Sequence, residues 1–164
     1  MTAQTTQRTH QKGFTLIELL VVIGILAVLL AITLIAINPA RQFSQANDTK
    51  RRSDINAILN AIHQYGVEYN GVLPGAATDE IPTAPAAAAD IADTGADICS
   101  FLVPTYIAAL PSDPQAVNGG VNIEEVDCAG AYNTEYRVVQ TADPNNRITV
   151  EADGEIETEI QVTR

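Results

Sequence analysis

FTLIELLVVIGILAVLLAITLIAI, residues 14–37, decides how the rest of the chain is read. From Leu19 to Ile37 it holds no charge, and only Gly24 and Thr33 interrupt the apolar side chains. As a helix it covers roughly 36 Å, against about 30 Å for the hydrocarbon core of a bilayer. Leu, Ile and Val fall on every face, so no polar stripe is left for water, as a helix on the surface of a soluble domain would have. The stretch reads as a membrane span. A secretory signal is the competing reading. Its apolar core should be about 7–15 residues long and end at a small-residue cleavage site, whereas this run is longer and ends in Asn38-Pro39-Ala40-Arg41.

Before the span, residues 1–13 (MTAQTTQRTHQKG) are small, polar and basic, and read as a leader. After it, Asn38-Pro39 bends or loosens the helix, because proline removes a backbone donor and crowds the preceding turn. A helical pattern then resumes. Ile55, Ile58, Leu59, Ile62, Tyr65 and Tyr69 form one stripe, with Asp54, Asn56, Asn60, Gln64 and Glu68 off it. Asn70-Gly71 and Pro74-Gly75 stop it. Residues 38–69 are therefore an amphipathic stem helix.

Residues 70–164 form an acidic head. They hold three arginines against sixteen Asp and Glu, while the whole chain carries a formal charge of −11. Such a head repels nucleic acid and anionic lipid, so no nucleic acid is expected to bind it. Residues 75–97 are rich in Ala, Asp and Pro and read as a loop, with at most a helical turn at 86–92. Phe101–Leu110 is apolar enough to dock on a core. The end of the chain carries the β pattern: Glu135–Thr141, Arg147–Ala152 and Glu155–Thr163, separated by Asp143-Pro144-Asn145-Asn146 and by Asp153-Gly154. Asp-Gly predicts a two-residue hairpin turn. Ile148, Val150, Ile156 and Ile160 are expected to face inward, against the stem stripe. The fold class is α+β: a long N-terminal helix whose second half packs on a small antiparallel sheet.

The two cysteines, Cys99 and Cys128, suit neither a zinc site nor a CxxC redox motif. In an exported head a disulfide is their simplest use; two separate buried thiols are the alternative. The head has no histidine, since His10 lies in the leader and His63 on the stem. It lacks a nucleophile–histidine pair, a phosphate-cradling loop and a metal quartet, so an enzyme is not expected and no cofactor is assigned. Asp113, Glu124, Glu125 and Asp127 are acids that calcium could use, but their spacing matches no calcium loop and the metal site stays unassigned.

The junction Lys12-Gly13-Phe14-Thr15-Leu16-Ile17-Glu18-Leu19-Leu20 is the motif that speaks to function. A basic segment ends in glycine, an aromatic residue opens the span, and a carboxylate follows four residues on. An acid at the centre of a spanning helix costs about 2.5–3.5 kcal/mol, less near its end, where the side chain reaches the interface. KGFTLIELLVVIGILAVL resembles the cleavage and methylation motif of the type IV pilin and type II secretion pseudopilin superfamily. The resemblance implies cleavage between Gly13 and Phe14 by a prepilin peptidase, methylation of the new Phe14 amine, and pairing of Glu18 with the Phe14 amine of a neighbouring subunit. It implies a homo-oligomeric filament built in contact with membrane lipid and an inner-membrane assembly platform. The basic residues flanking the span do not decide its orientation; the cysteines and the acidic head favour the head outside the cytoplasm. The family fold, a long helix on an antiparallel sheet, agrees with the pattern read above. YIAALPSDP at 106–114 is similar to the segment before the sheet in the major pseudopilin of type II secretion. A disulfide placed before the strands differs from the C-terminal one usual in type IVa pilins. The alternative is a singly anchored extracytoplasmic binding module. A simple tether would need neither Phe14 at a cut end nor Glu18.

Overall fold

The computed structural model describes residues 13–75, 81–84, 86–142 and 146–164. Residues 1–12 of the leader, 76–80 and 85 of the expected Ala-rich loop, and most of the turn at 143–146 lie outside the described residues. The contact pattern divides the chain after Gln42.

The first unit is built on α1, Leu16–Ile37, which has no buried residue and contains an 18-residue stretch of mean hydropathy 3.2. Its 22 residues span roughly 33 Å. Thr33 turns its hydroxyl back to the Leu30 carbonyl at 2.9 Å, which satisfies the one polar side chain in the apolar run beyond Leu19. Asn38 ends α1 in the left-handed conformation (φ 48°), and Pro39 opens α2, Pro39–Glu68. Asparagine tolerates that conformation, and a first-turn proline loses only an N–H that has no helical partner. The expected interruption therefore falls at Asn38.

In the second unit α2 buries Ile55, Ile58, Leu59, Ala61 and Ile62. The predicted stripe holds over this stretch, but Tyr69 at its end is exposed. Tyr65 is half-buried and stacks on Tyr69 at 4.3 Å between ring centroids. The stripe packs in one core with Tyr136 and Val138 of β2 (Asn133–Gln140), Ile148 and Val150 of β3 (Ile148–Asp153) and Ile160 of β4 (Glu159–Thr163). Each fully buried aliphatic side chain contributes about 1.5–3 kcal/mol. The short helix α3, Cys99–Leu102, adds Cys99 and Leu102, and Val103 and Leu110 complete the apolar segment expected to dock there.

The sheet has four strands in the order β1-β2-β3-β4, all antiparallel. Two expectations are corrected. The Ala-rich segment supplies β1, Ala89–Ala92, where a loop or helical turn was predicted; Ala89 pairs with Val138 and Asp90 with Arg137. Its strand state comes from the partner's open edge, which local composition does not record. The β3–β4 connection is no two-residue turn. Asp153 pairs with Glu159, so residues 154–158 form the loop, and Ile156 sits in it exposed rather than facing the core.

Candidate functional site

Gly13 and Phe14 precede the first turn of α1 in open surroundings. No atom lies within 4 Å of where a Gly13 side chain would start, and Phe14 is 91% exposed. Thr15 is the N-cap, with extended backbone (φ −82°, ψ 152°). Its Oγ1 accepts the Glu18 N–H at 3.2 Å, and its own N–H and hydroxyl both donate to Glu18 Oε2 at 2.8 Å. This capping box satisfies donors that the start of a helix leaves open and sets a negative charge at the positive end of the helix dipole.

The geometry refines the reading of Glu18. The sequence presents it as a carboxylate awaiting a partner; the structure gives it one within its own chain, through a single oxygen. The signal was available, because Thr15-x-x-Glu18 is the capping-box spacing. Gly24 also stands free, with nothing of the chain within 4 Å of an added side-chain carbon. Nothing within the chain explains it. In lipid, small residues let helices approach closely.

A second constellation, unforeseen in the sequence, fixes the head to α2. Arg51 sits in the run Lys50-Arg51-Arg52, which reads as a charged flank, yet its side chain is only 4% exposed. Its Nε and Nη2 donate to the two oxygens of Asp113 at 2.5 and 3.0 Å. Its Nη1 donates to Asp48 at 2.9 Å and Glu155 at 3.1 Å. Asp48 in turn accepts the backbone N–H groups of Glu155, Ile156 and Glu157, at 2.9, 3.0 and 3.4 Å. This explains the long β3–β4 loop: its amides turn inward to a helix carboxylate about a hundred residues earlier. Burial pushes the Asp48 carboxyl up, but these three N–H groups and Arg51 outweigh it and hold it below the ordinary aspartate range. The Asp113 hydrogen bond leads the contacts that keep Arg51 protonated, against its burial.

Asp113 is thus engaged by Arg51 and by the Gln115 N–H at 2.7 Å, which removes it from the acids that calcium could use. Asp127 caps its own turn through the Glu124 N–H at 3.0 Å, and Glu124 and Glu125 are exposed. Among the described residues no group of three or more His, Cys, Asp or Glu is placed to hold a metal. Asp54, expected on the wet face of α2, accepts the Tyr136 hydroxyl at 2.8 Å and the Lys50 ammonium at 2.6 Å. Burial leads in raising the Tyr136 hydroxyl well above its usual range, and the Asp54 carboxylate adds to it.

Cys99 and Cys128 form a disulfide that closes a loop of 29 residues. It joins α3 to the turn at Asp127–Ala129 and bounds the segment that carries the exposed Val117, Val121 and Val126.

Residues 8–34 match the family model described as the prokaryotic N-terminal methylation motif, the signature of type IV pilins and pseudopilins. No curated protein and no solved structure matches the chain significantly. The match, the apolar α1 and the antiparallel sheet beneath α2 together support a pilin-like or pseudopilin subunit, and among the described residues α1 is the one helix long and apolar enough to cross a membrane.

Proposed function

We propose that this chain is the structural subunit of a type IV pilus-like or pseudopilus filament, cut between Gly13 and Phe14 and assembled through α1. One observation carries the reading. A glycine–aromatic junction of the methylation-motif type stands open at the head of a helix with no buried residue. An apolar helix of this length is stable only in lipid or among other helices, and a filament drawn from the membrane uses both in turn.

Within that reading a prepilin peptidase is the processing partner and an inner-membrane platform the assembly partner, with the head outside the cytoplasm. Phe14 provides the new, N-methylated amine. Glu18 provides the counter-charge, for which its second carboxylate oxygen is available while the first holds the cap. A buried charge gains most from a partner that arrives only on assembly.

The test is the N-terminus of the protein isolated from membranes and from sheared surface material. Peptide mapping should find N-methylated Phe14 as the first residue, and electron microscopy should find filaments containing that chain. An intact leader on chains in filaments, or processed chains that never form filaments, would overturn the reading.

A further inference from the structure

Two features of Phe43–Arg164 lie at opposite ends of its sheet and are complementary. Ala92 and Asn133 mark one end, and Gln140, Ile148 and Thr163 the other. At the first end a groove of about 530 Å³ opens between the residue after β1, the start of β2 and the disulfide-bounded segment. Its walls include Val121 and Val117, the latter 99% exposed. Asp93, Asp127 and Glu135 also line it. Asp127 uses one oxygen on the Glu124 N–H, but the Asp93 and Glu135 carboxylates have no hydrogen-bond or ion-pair partner among the described residues. Glu135 comes to the groove from a bulge. Asp90 and Ala92 of β1 face Arg137 and Asn133 of β2, so β2 carries two extra residues here, and Glu135 among them is left-handed (φ 63°). Bulges of this kind re-aim a side chain. Valine walls with unpaired carboxylates suit a side chain that has an apolar stem and a cationic end.

At the other end Arg147 leads into β3. Of the six Lys and Arg in Phe43–Arg164, Lys50, Arg51, Arg52 and Arg137 lie on carboxylates, and Arg164 on Asn56 and Asn60. The Arg147 side chain is exposed, meets no carboxylate among the described residues and donates to the Thr163 carbonyl at 3.4 Å. We propose that the groove of one copy takes Arg147 of another, in a head-to-tail contact between copies of this chain. Charge complementarity selects the occupant: the cation left without a carboxylate and the carboxylates left without a cation stand at the two ends of one sheet. A guanidinium also has the donors to bond two carboxylates at once. Because the two features are on opposite ends, a copy that has used one still offers the other, and the contact repeats instead of closing. This rests on the filament reading above.

The test measures filament yield against processed, membrane-inserted chain, with each variant as the only subunit. Arg147→Glu and Glu135→Arg should each lower the yield at least about tenfold, because each sets like charges against one another across the contact. Combined, they exchange the charges and should restore at least about half of the native yield, which a folding defect would not allow. Zero-length carbodiimide coupling of sheared Arg147→Lys filaments should join position 147 to Asp93 or Glu135. Within one copy Glu135 and Gln140, the residue beside Ile148, are roughly 15 Å apart along β2, so such a link joins two copies. Undiminished yield from both single variants, no rescue by the double variant, or coupling of position 147 to other carboxylates alone overturns the inference and leaves the filament reading standing. Failure of the native processed chain to assemble overturns both.

Discussion

Replacing Arg51 by Met keeps most of the volume and removes the charge. The structure sets the scale of the effect. Arg51 makes four hydrogen bonds to three carboxylates, and its side chain is 4% exposed. Removing one member of a buried ion pair costs about 3–5 kcal/mol, because the remaining charge is left without compensation. A domain of ordinary stability has about 5–15 kcal/mol in total, so Arg51→Met should leave the head marginal. Arg51→Lys should recover one charge-assisted bond, about 1.5–3 kcal/mol, and not the two-pronged grip on Asp113.

The pH dependence identifies the cause. In the native head Asp48 is held below its ordinary range, so its share of stability is complete above the unfolded value, about 3.9, and disappears as pH falls through the folded one. In Arg51→Met, Asp48 and Glu155 lose one of the groups that hold their carboxyls down, so the variant has less of this stability to lose in acid. The gap between native and variant should therefore narrow as pH falls below about 4. Urea unfolding of the mature chain in non-ionic detergent, followed by near-ultraviolet circular dichroism, measures this. All five tyrosines lie at or beyond Tyr65, so the signal reports the head and the end of α2. A loss below about 1 kcal/mol, or a gap unchanged by pH, would refute the electrostatic account.

Three further outcomes are expected. Glu18→Ala and Glu18→Gln should both insert normally, since losing a charge eases entry into lipid, yet filament yield should collapse when either is the only subunit, an unpaired amine costing about 3–5 kcal/mol. Normal filaments from both variants would reduce Glu18 to the helix cap it makes with Thr15. Replacing Cys99 and Cys128 by Ser should destabilise the head by about 3–4 kcal/mol on the chain-entropy estimate for a loop of this length, read as a lower urea midpoint; an unchanged midpoint would count against it. Residues 70–164 without α2 should not unfold cooperatively, since Ile148, Val150 and Ile160 would lose Ile55, Ile58, Leu59 and Ile62; a sharp, native-like transition would contradict the shared core.

What could be read from the sequence was what local chemistry determines. The span, the stem stripe from Ile55 to Ile62, the break at Asn38-Pro39 and the three C-terminal β segments follow from hydropathy and residue type alone. What could not be read depends on partners distant along the chain. Ala89–Ala92 has little strand propensity and becomes a strand because β2 offers it an edge. Asp153-Gly154 carries the residues of a tight turn, but the chain continues to Glu159 because Asp48 draws the amides of 155–157 inward. Arg51 is indistinguishable in sequence from Lys50 and Arg52, and only its place on the helix face next to Asp113 sends it into the interior. At the N-terminus the capping box was readable from spacing.

The position of Arg51 also bears on how the head would carry tension. It lies one turn ahead of Ile55, the first fully buried isoleucine of α2, and grips two separate loops, at Asp113 and at Glu155. A pull on the N-terminal end of α2 therefore meets the ionic clasp before it reaches the apolar contacts. Both loops are therefore tied to the helix one turn ahead of the place where its apolar seat begins.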